Sequence, residues 1–398
     1  RAAAPGGAMT CNVLILGGRA PSALDHARRF AHQGWKVWVA DSIPCQISGA
    51  SHAVTATLRV ASPRHAPAGF VDDLRRASLA HGIDLIVPTC EEVFFVSRYR
   101  DRLPAHVRVL AEDFGKMRDV HSKWRFLALA RGCGAEVPDS ARVASLDEAR
   151  AWAGGRPVVL KPEYSRFGVH VRLYRHGIPA DAPALAPLGH WVVQAFAEGR
   201  EFCSYSVADR GRLVAHSVYW PRWRMSTSSS FYFEAVRIEA IRRFVENFAR
   251  KLDFTGQLSF DWIQQADGRV SVLECNPRAT SGCHLFALDA PLPAALDGTL
   301  SSEITAPIEP PLGTPRMIGA VMLSAGLIGG LRRGELGGWL RDYRRAADVI
   351  GTPGDRGPIG GALRDLASYA RLALAQRCNM REAATQDIEW DGEELPEP

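Results

Sequence analysis

The sequence contains no apolar run of the length that a membrane-spanning helix needs. Such a helix requires about 18 or more consecutive apolar residues. The longest candidate, MIGAVMLSAGLIGGL at 317–331, is shorter than that and rich in glycine. We therefore predict no membrane partner, and we interpret this stretch as a buried strand followed by a turn. The residues ahead of Met9 are interpreted as an added leader, and no secretion signal is predicted.

Paired metal-binding motifs are also missing. The eight cysteines show no CxxC spacing, and the twelve histidines form no HxxxH or HExxH pattern. These absences argue against the common zinc sites and against a disulfide framework. Reduced, buried thiols are typical of cytoplasmic proteins, so we predict a cytoplasmic location.

Charge of one sign is not concentrated in the way that a nucleic-acid binder requires. The 398 residues carry a formal net charge of +5, and the arginines are scattered along the chain. This pattern is typical of solvated surfaces, so no nucleic-acid partner is predicted. The chain is 46% hydrophobic and 23% charged, which provides enough apolar surface for two or three domains.

Strand and helix patterns alternate over residues 9–115. Apolar runs at 12–18, 36–41 and 84–89 predict buried parallel strands, and segments with helical spacing separate them. The order β-α-β-α-β predicts an α/β domain with a Rossmann-like, doubly wound parallel sheet.

A dinucleotide-binding site is an alternative interpretation of this first domain. A strand, a glycine-rich turn, a helix and then Asp41 follow the outline of such a fold. The turn, however, reads GGRAPSA, with Ala20 and Ser22 where glycines would let a pyrophosphate approach the backbone. An NAD(P) site is therefore disfavoured, and we expect this domain to support a site formed elsewhere.

Helical patterns over 116–155 give way to strand patterns in the centre of the chain. Strands are expected at 157–162, 168–174, 190–196, 201–209, 212–220, 256–265 and 269–277. A helix is expected at 239–254, and the VADRGRL and QQADGRV segments have the composition of hairpin turns. These patterns predict an α+β unit with an antiparallel sheet. Residues 291–398 are expected to form a C-terminal extension that includes a helix at 361–377.

Four polar side chains stand near the ends of two predicted strands. LSFDWI contains Asp261, and VLECNPR contains Glu274, Asn276 and Arg278. The intervening turn places Asp261 roughly opposite Glu274, and strand alternation turns Asn276 to the same face. Carboxylate and amide oxygens are the ligands that Mg²⁺ prefers, and Mn²⁺ is a possible substitute. The alternative is a pair of half-buried carboxylates neutralised by arginine, although unpaired carboxylates between apolar neighbours are costly.

Two lysines precede these acids in the chain. Lys161 ends the apolar strand PVVLKP and is followed by the loop segment EYSRFGVHV, a position that suits a phosphate contact. Lys123 opens a helix and is a second candidate. Most lysines are surface charges, so either residue alone would be weak support. Together with Asp261 and the Glu-x-Asn segment, the order becomes specific.

The order of these motifs resembles the ATP-grasp superfamily, in its carbamoyl-phosphate-synthetase-like and biotin-carboxylase-like members. The likeness rests on Lys123 and on the segments VVLKPEYSRFG, VVQAFAEGREF, LSFDWI and VLECNPRATSG. It implies a Rossmann-like domain at 9–115 and an ATP-grasp domain at 116–290, with subdomains at 116–190 and 191–290.

The resemblance implies a nucleotide site that binds ATP. Its contacts would be Lys123, Lys161, Ser165, Gln194, Ala195, Phe196 and Glu201. The two lysines would bind phosphates, with Lys161 also near the adenine. The hinge at 194–196 would border the adenine edge, and Glu201 would bond the ribose hydroxyls.

The resemblance also implies the reacting centre. Asp261, Glu274 and Asn276 would bind one or two Mg²⁺ ions. Arg278 would act on the reacting carboxyl or phosphoryl group, and Lys161 would be the second catalytic residue.

The sequence departs from the family pattern in three places. The loop after Lys161 has one glycine where many members have several, so phosphate contacts are expected from Ser165 and Arg166. Gln194 replaces a common hinge glutamate and would bond the adenine amino group through its carbonyl. Ser259 stands where the D-alanine ligase type carries arginine, so roles are not transferred from that branch.

The segment SVYWPRWRMSTSSSFYF at 217–233 is the most unusual stretch. We interpret it as a substrate-side lid, in which Arg222 and Arg224 hold a carboxylate. A mobile surface loop is the alternative. Ser281, just after Arg278, is expected in the same pocket.

Two further features are left with open interpretations. Glu91 and Glu92 either face the cleft between domains or start a helix, where acids favour the dipole. The segment ATQDIEWDGEEL, which contains Trp390, is expected to pack back over the site.

The prediction for function is an ATP-dependent carboxylate–amine ligase that activates a small acid as an acyl phosphate. Its partners would be small-molecule carboxylate and amine substrates, and a homodimer is expected. Another ATP-grasp phosphotransferase or carboxylase is the first alternative. A non-catalytic nucleotide-binding protein is the second.

Overall fold

The computed structural model describes residues 11–165, 170–224, 230–300 and 304–397, and these residues form three β-sheets. The first, or N-terminal, sheet comprises β1 (Asn12–Leu16), β2 (Lys36–Asp41), β3 (Ala56–Arg59), β4 (Leu85–Val87) and β5 (Arg108–Val109). Its order is β3-β2-β1-β4-β5 and its pairings are all parallel. The helices between its strands are α1 (Pro21–His32), α2 (Pro67–His81) and α3 (Glu92–Arg98). The predicted doubly wound domain is confirmed.

Two strands of this sheet were not predicted. β3 and β5 are short edge strands whose residues are mostly exposed, so they lack the continuous apolar run that identified β1 and β2.

The second, or small, sheet follows three helices. These are α4 (Phe114–His121), α5 (Arg125–Gly132) and α6 (Leu146–Ala153). The strands are β6 (Ser140–Val143), β7 (Val158–Pro162), β8 (Arg172–Tyr174) and β9 (Trp191–Ala195), in the order β6-β9-β7-β8 with antiparallel pairing. Because β9 pairs with β6 and β7, the change to the next sheet lies after Ala195 rather than at the predicted boundary near 190.

The third, or large, sheet has seven strands within the described ranges. They are β10 (Arg200–Asp209), β11 (Arg212–Arg224), β12 (Ser230–Val236), β13 (Gly256–Gln264), β14 (Val270–Asn276), β15 (Arg316–Met317) and β16 (Ala347–Asp348). The order is β14-β13-β10-β11-β12-β15-β16. The predicted β10–β11 hairpin turns at Arg210 and Gly211, whose φ angles of 47° and 74° are typical of a two-residue turn.

Helix α7 (Glu239–Leu252) covers the back of the large sheet. Its buried residues recur at helical spacing, and among them Phe244 and Phe248 pack on the sheet. The ring of Phe244 lies 5.2 Å from that of Trp262, and the ring of Phe248 lies 5.3 Å from that of Phe260. Since successive side chains of a strand point to opposite faces, Asp261 between these two aromatics points to the front.

The C-terminal extension is attached to both earlier parts of the chain. Its helices are α8 (Leu292–Leu296), α9 (Gly319–Val321), α10 (Leu327–Arg333), α11 (Leu336–Arg345), α12 (Gly357–Gln376) and α13 (Met380–Ala383). Strands β15 and β16 extend the edge of the large sheet, while α12 packs on the segment Ile47–Ala50 of the first domain. In the part of the chain that the structure describes, none of the helices combines the length and apolar character that a membrane crossing requires.

The interpretation of 317–331 as a strand and turn was wrong. After β15 the chain is helical through α9, a π-helical turn at Met322–Gly326 and α10. Leucine, alanine and methionine are good helix formers, and few of these residues are β-branched. The stretch is also not fully buried, since Leu323 and Leu331 are 49% and 58% exposed.

Three buried histidines make the fold sensitive to acid. Burial lowers the pKa of His216 to about 3 and those of His26 and His121 to about 4. Between about pH 6.5 and 4, the unfolded chain binds these protons and the folded protein does not. Each histidine therefore lowers the unfolding free energy by roughly 1.4 kcal/mol per pH unit as the pH falls through this window.

We predict that His216→Gln flattens the pH dependence of stability. The slope of unfolding free energy against pH, measured by urea denaturation between pH 6.5 and 4, should fall by roughly 1.4 kcal/mol per unit. The exposed His106, changed in the same way, is the control. An unchanged slope in His216→Gln would show that the folded protein accepts this proton.

Candidate active site

The predicted carboxylate pair forms in the large sheet. Asp261 on β13 is directly opposite Glu274 on β14, and Ser259 is opposite Asn276. The carboxyl groups of Asp261 and Glu274 share a hydrogen bond. The expected register and the shared face are therefore present in the structure.

A β-bulge at Leu273 fixes the direction of Glu274. The register shifts between Asp261 and Trp262, so that Trp262 pairs with Val272 and Leu273 is the extra residue. Bulges of this kind re-aim side chains and are frequent near active sites. Here the bulge lets buried Val272 face the back of the sheet while Glu274 faces the front.

Two lysines from outside the large sheet converge on Glu274. The Nζ atoms of Lys123 and Lys161 lie 3.8 and 4.0 Å from Glu274 Oε2. Lys123 Nζ also donates to the carbonyl oxygen of Ser165 at 2.7 Å. Lys161 Nζ also donates to Gln194 Oε1 at 3.2 Å and to the bulged Leu273 carbonyl at 3.4 Å. Both lysines are buried.

The charges in this cluster shift one another's pKa values. Burial raises the pKa of Asp261, and the neighbouring Glu274 carboxylate raises it further. Burial acts in the same direction on Glu274, but Lys123 and Lys161 outweigh it and hold the pKa of Glu274 below its ordinary value. Burial also lowers the pKa of Lys161 to about 8. Such opposed shifts are typical of functional sites.

The oxygen donors on the front of the sheet fit the predicted magnesium ion. Asp261 and Glu274 are half-buried, and two carboxylates in contact repel each other unless a proton or a cation reduces their charge. Asn276 lies on the same side, where its Nδ2 contacts Glu274 Oε1 at 3.5 Å and its Oδ1 accepts from Arg278 Nη2 at 3.4 Å. Carboxylate and amide oxygens are the hard ligands that suit Mg²⁺.

The predicted hinge lies at the end of β9. Gln194 is buried, and its amide nitrogen Nε2 donates to Ser140 Oγ at 3.1 Å. The amide N–H groups of Ala195 and Phe196 donate to the carbonyls of Asp139 and Pro157, at 2.8 and 3.0 Å. These two N–H groups are therefore used in hydrogen bonds within the protein.

A cavity of about 500 Å³ opens beside the hinge. Its wall includes Ala195, Phe196 and Ala197 on one side, and Gln265 and Ser271 of the large sheet on the other. Neither acid of the carboxylate pair lines it, so the cavity adjoins the predicted adenine border and not the predicted metal site.

The two arginines of the predicted lid lie in different surroundings. Arg224 forms an ion pair with Glu201, the predicted ribose contact, and its charge acts on Asp261. Arg222 Nε instead pairs with buried Asp342 at 2.9 Å. The structure thus brings Arg224 to the site and directs Arg222 towards α11. Residues 225–229 of the lid lie outside the described ranges.

Arg278 connects the site to the first domain. Its Nε lies 3.7 Å from Glu91 Oε1, and its side chain is largely buried. Glu91 immediately precedes α3, and Glu92 accepts the N–H groups of Thr89 and Cys90, each at 2.9 Å. Both interpretations of this acidic pair therefore hold, because the two residues start a helix and Glu91 also faces the cleft.

The remaining predicted residues lie near the edges of the site. Ser281 is half-buried at the start of the 3₁₀ helix Ser281–Leu285, just after Thr280, whose Oγ1 contacts Ser259 Oγ at 3.0 Å. Ser165 offers its carbonyl to Lys123. Arg166 lies outside the described residues.

Sequence reasoning missed three residues beside the carboxylates. Cys203 on β10 is opposite Asp261 and bonds its carboxyl, and Tyr219 on β11 is opposite Cys203. Buried His121 lies near Lys123 and Arg278, whose charges act on its ring. The pairing of β10 with β13 joins segments far apart in the chain, so no local signal could have placed Cys203 here.

No protein-family model and no curated protein sequence matches the chain. Among solved structures, N5-carboxyaminoimidazole synthetase from Staphylococcus aureus is similar with a TM-score of 0.59 and 12% identity, over 81% of this chain and 86% of that one. Biotin carboxylase from Campylobacter jejuni has a TM-score of 0.60 and 13% identity, over 76% and 74%.

L-amino acid ligase from Bacillus licheniformis is also similar. It has a TM-score of 0.56 and 15% identity, over 77% of this chain and 78% of that one. At such low identities the similarity concerns the fold. The fold that the motifs predicted is confirmed at that level: the chain shares the fold of these solved structures.

Proposed function

We propose that this protein is an ATP-dependent ligase that joins a small carboxylic acid to an amine or amino acid. One observation carries the proposal: a half-buried carboxylate pair faces two buried lysines from outside the large sheet. This arrangement offers ligands for a divalent cation beside cations that bind phosphate. These are the parts that phosphoryl transfer from ATP needs.

The proposed reaction has two steps. A carboxylate oxygen of the acid attacks the γ-phosphorus of ATP, the bond to the β–γ bridging oxygen breaks, and ADP leaves. The amine nitrogen then attacks the acyl carbon, the carbon–nitrogen bond forms, and phosphate leaves together with the proton that the amine loses. Neither step needs a covalent bond to the protein.

Each group of site residues has its own role in the proposed reaction. Lys123 and Lys161 bind phosphate oxygens, and Asp261, Glu274 and Asn276 would hold magnesium. When bound, Mg²⁺ neutralises charge on the β- and γ-phosphates. Arg278 lies on the first-domain side of these ligands, where its guanidinium can orient the acid and stabilise the oxyanion of the second step.

Enclosure matters because water would hydrolyse an acyl phosphate. The carboxylate pair and both lysines are shielded by the small sheet, the large sheet and the first domain. Arg224 pairs with Glu201, whose side chain is half-exposed, and this accessible position suits binding of the acid substrate. The structural relatives include complexes with ADP and with an ATP analogue, which supports nucleotide binding in the same fold.

Two alternatives use the same nucleotide site. A carboxylase or phosphotransferase would release ADP without an amine, and two relatives are a carboxylase and a carboxyaminoimidazole synthetase. A non-catalytic nucleotide-binding protein would bind ATP without turnover, but the complete set of acids and lysines disfavours it.

Location and assembly are also proposals. All eight cysteines are free, which is consistent with a reducing compartment such as the cytoplasm. A relative with biotin carboxylase activity was solved as a domain dimer, which supports the homodimer prediction.

We predict that Glu274→Gln lowers magnesium-dependent ADP formation by at least about 100-fold, because one ligand charge is lost opposite two lysines. The side chain keeps its size, so the thermal midpoint should change little. Exposed Glu246→Gln on α7 is the matched control. Full turnover by Glu274→Gln would contradict the metal assignment.

The two lid arginines provide a second prediction. Arg224→Ala should raise the KM for the acid about tenfold while changing the KM for ATP less, since one charge-assisted bond is lost. Arg222→Ala should instead lower stability by about 3 kcal/mol, because it leaves buried Asp342 poorly compensated. A larger effect of Arg224→Ala on ATP than on the acid would remove it from the substrate pocket.

A further prediction concerns the class of reaction that the protein catalyses. In a screen of carboxylic acids crossed with amino acids, ADP release should require both partners. Release that depends on the acid or on bicarbonate alone would favour the carboxylase or phosphotransferase alternative.

A further inference from the structure

The C-terminal segment 384–397, here called the tail, is anchored along the first domain. Asp387 pairs with Arg19 at 2.7 Å, and its carbonyl accepts from Ser62 Oγ at 2.7 Å. Further along, Tyr99 donates its hydroxyl to the carbonyl of Pro396 at 3.1 Å. The tail is thus held at both ends, and its middle lies between these anchors.

Trp390, in the middle of the tail, packs between the first domain and the loop after β7. Its ring lies 4.8 Å from Phe94 and 5.0 Å from Tyr164, and its backbone N–H donates to Glu91 Oε2 at 3.2 Å. The side chain is 1% exposed. The sequence prediction that this segment packs back over the site is supported by these contacts.

Gly392 makes the closest approach to the same loop. Its φ angle is +87°, and a Cβ atom added there would lie 2.3 Å from Cδ2 of Tyr164. The Tyr164 ring therefore lies directly on the tail backbone, and only glycine leaves room for it.

Tyr164 lies in the chain between Glu163 and Ser165, and Lys123 hydrogen-bonds the backbone carbonyls of both neighbours. The backbone N–H of Lys123 donates to the Glu163 carbonyl at 3.0 Å, and its Nζ donates to the Ser165 carbonyl at 2.7 Å. The segment 163–165 is therefore fixed by Lys123 on one side and by the tail on the other. Lys123 and Ser165 are among the residues proposed to contact phosphate.

We propose that Trp390 and Gly392 are positioning residues for the nucleotide. Trp390 and Gly392 fix the position of the Tyr164 ring, and this in turn holds Ser165 and the Lys123 ammonium in place before ATP binds. The conformational entropy that ATP binding would otherwise cost is therefore smaller. This inference rests on the proposed function. It assigns to the tail a role in ATP affinity rather than only in folding.

The main test compares two glycine substitutions. Gly392→Ala should weaken MgATP binding, measured by calorimetry, by about tenfold, and should raise the KM for ATP while changing kcat and the KM for the acid little. Gly313→Ala is the matched control, because Gly313 also has a positive φ angle, +77°, but nothing within 4 Å of an added Cβ. Equal ATP affinities in the two variants would overturn the inference.

A double-mutant cycle tests whether the effect passes through Tyr164. In a Tyr164→Ala background the clash is absent, so Gly392→Ala should cause no further loss of ATP affinity. A loss of the same size in both backgrounds would show that the tail does not act through this ring.

Tryptophan variants keep the inference testable if Gly392→Ala does not fold. Trp390→Ala should raise the KM for ATP, and Trp390→Phe, which retains a ring against Tyr164, should restore it. Equal values in the two variants would contradict the positioning role. If the unmodified protein binds no MgATP, the proposed function itself fails, whereas normal binding with unaffected variants rejects only the role of the tail.

Discussion

The site depends on the pairing of Asp261 with Glu274 across β13 and β14. Phe260 and Trp262 pack under α7 on the back of the sheet. Because Asp261 lies between them in the strand, its side chain points to the front of the sheet. The burial that makes these strands stable also makes two adjacent carboxylates costly unless they are neutralised. In the structure Lys123 and Lys161 face this pair, which leaves oxygen ligands for a divalent cation beside ammonium groups that can bind phosphates.

The compensating charges come from parts of the chain that are far apart in sequence. Lys123 follows α4, Lys161 ends β7 in the small sheet, and Arg278 reaches Glu91 at the start of α3. The proposed ligase would need such convergence, because its acyl phosphate would have to form and react away from water. The fold provides this convergence by bringing the first domain, the small sheet and the tail next to strands β13 and β14 of the large sheet.

Local patterns predicted most of the fold, and they placed Asp261 and Glu274 on neighbouring antiparallel strands. Strands with continuous apolar runs, such as β1 and β7, and helices with clear spacing, such as α7, were found close to their observed bounds. Short or exposed strands such as β3 and β6 carry too few apolar residues to be recognised. The helical course after β15 was missed because a glycine-rich apolar stretch has no distinct period.

The sequence alone determined which functional groups are available to the site: an acid between two aromatic residues, a Glu-x-Asn-x-Arg segment and two lysines that precede them in the chain. A two-residue alternation and a short hairpin are local properties, so they put Asp261 and Glu274 on neighbouring strands, but the bulge at Leu273 is what places the two acids directly opposite each other. Only the tertiary structure decided that Leu273 is bulged, that Arg222 pairs with Asp342 while Arg224 reaches Glu201, and that Cys203 and the tail border the site. Those contacts join residues distant in the chain, and their partners are chosen by packing, which no local pattern encodes.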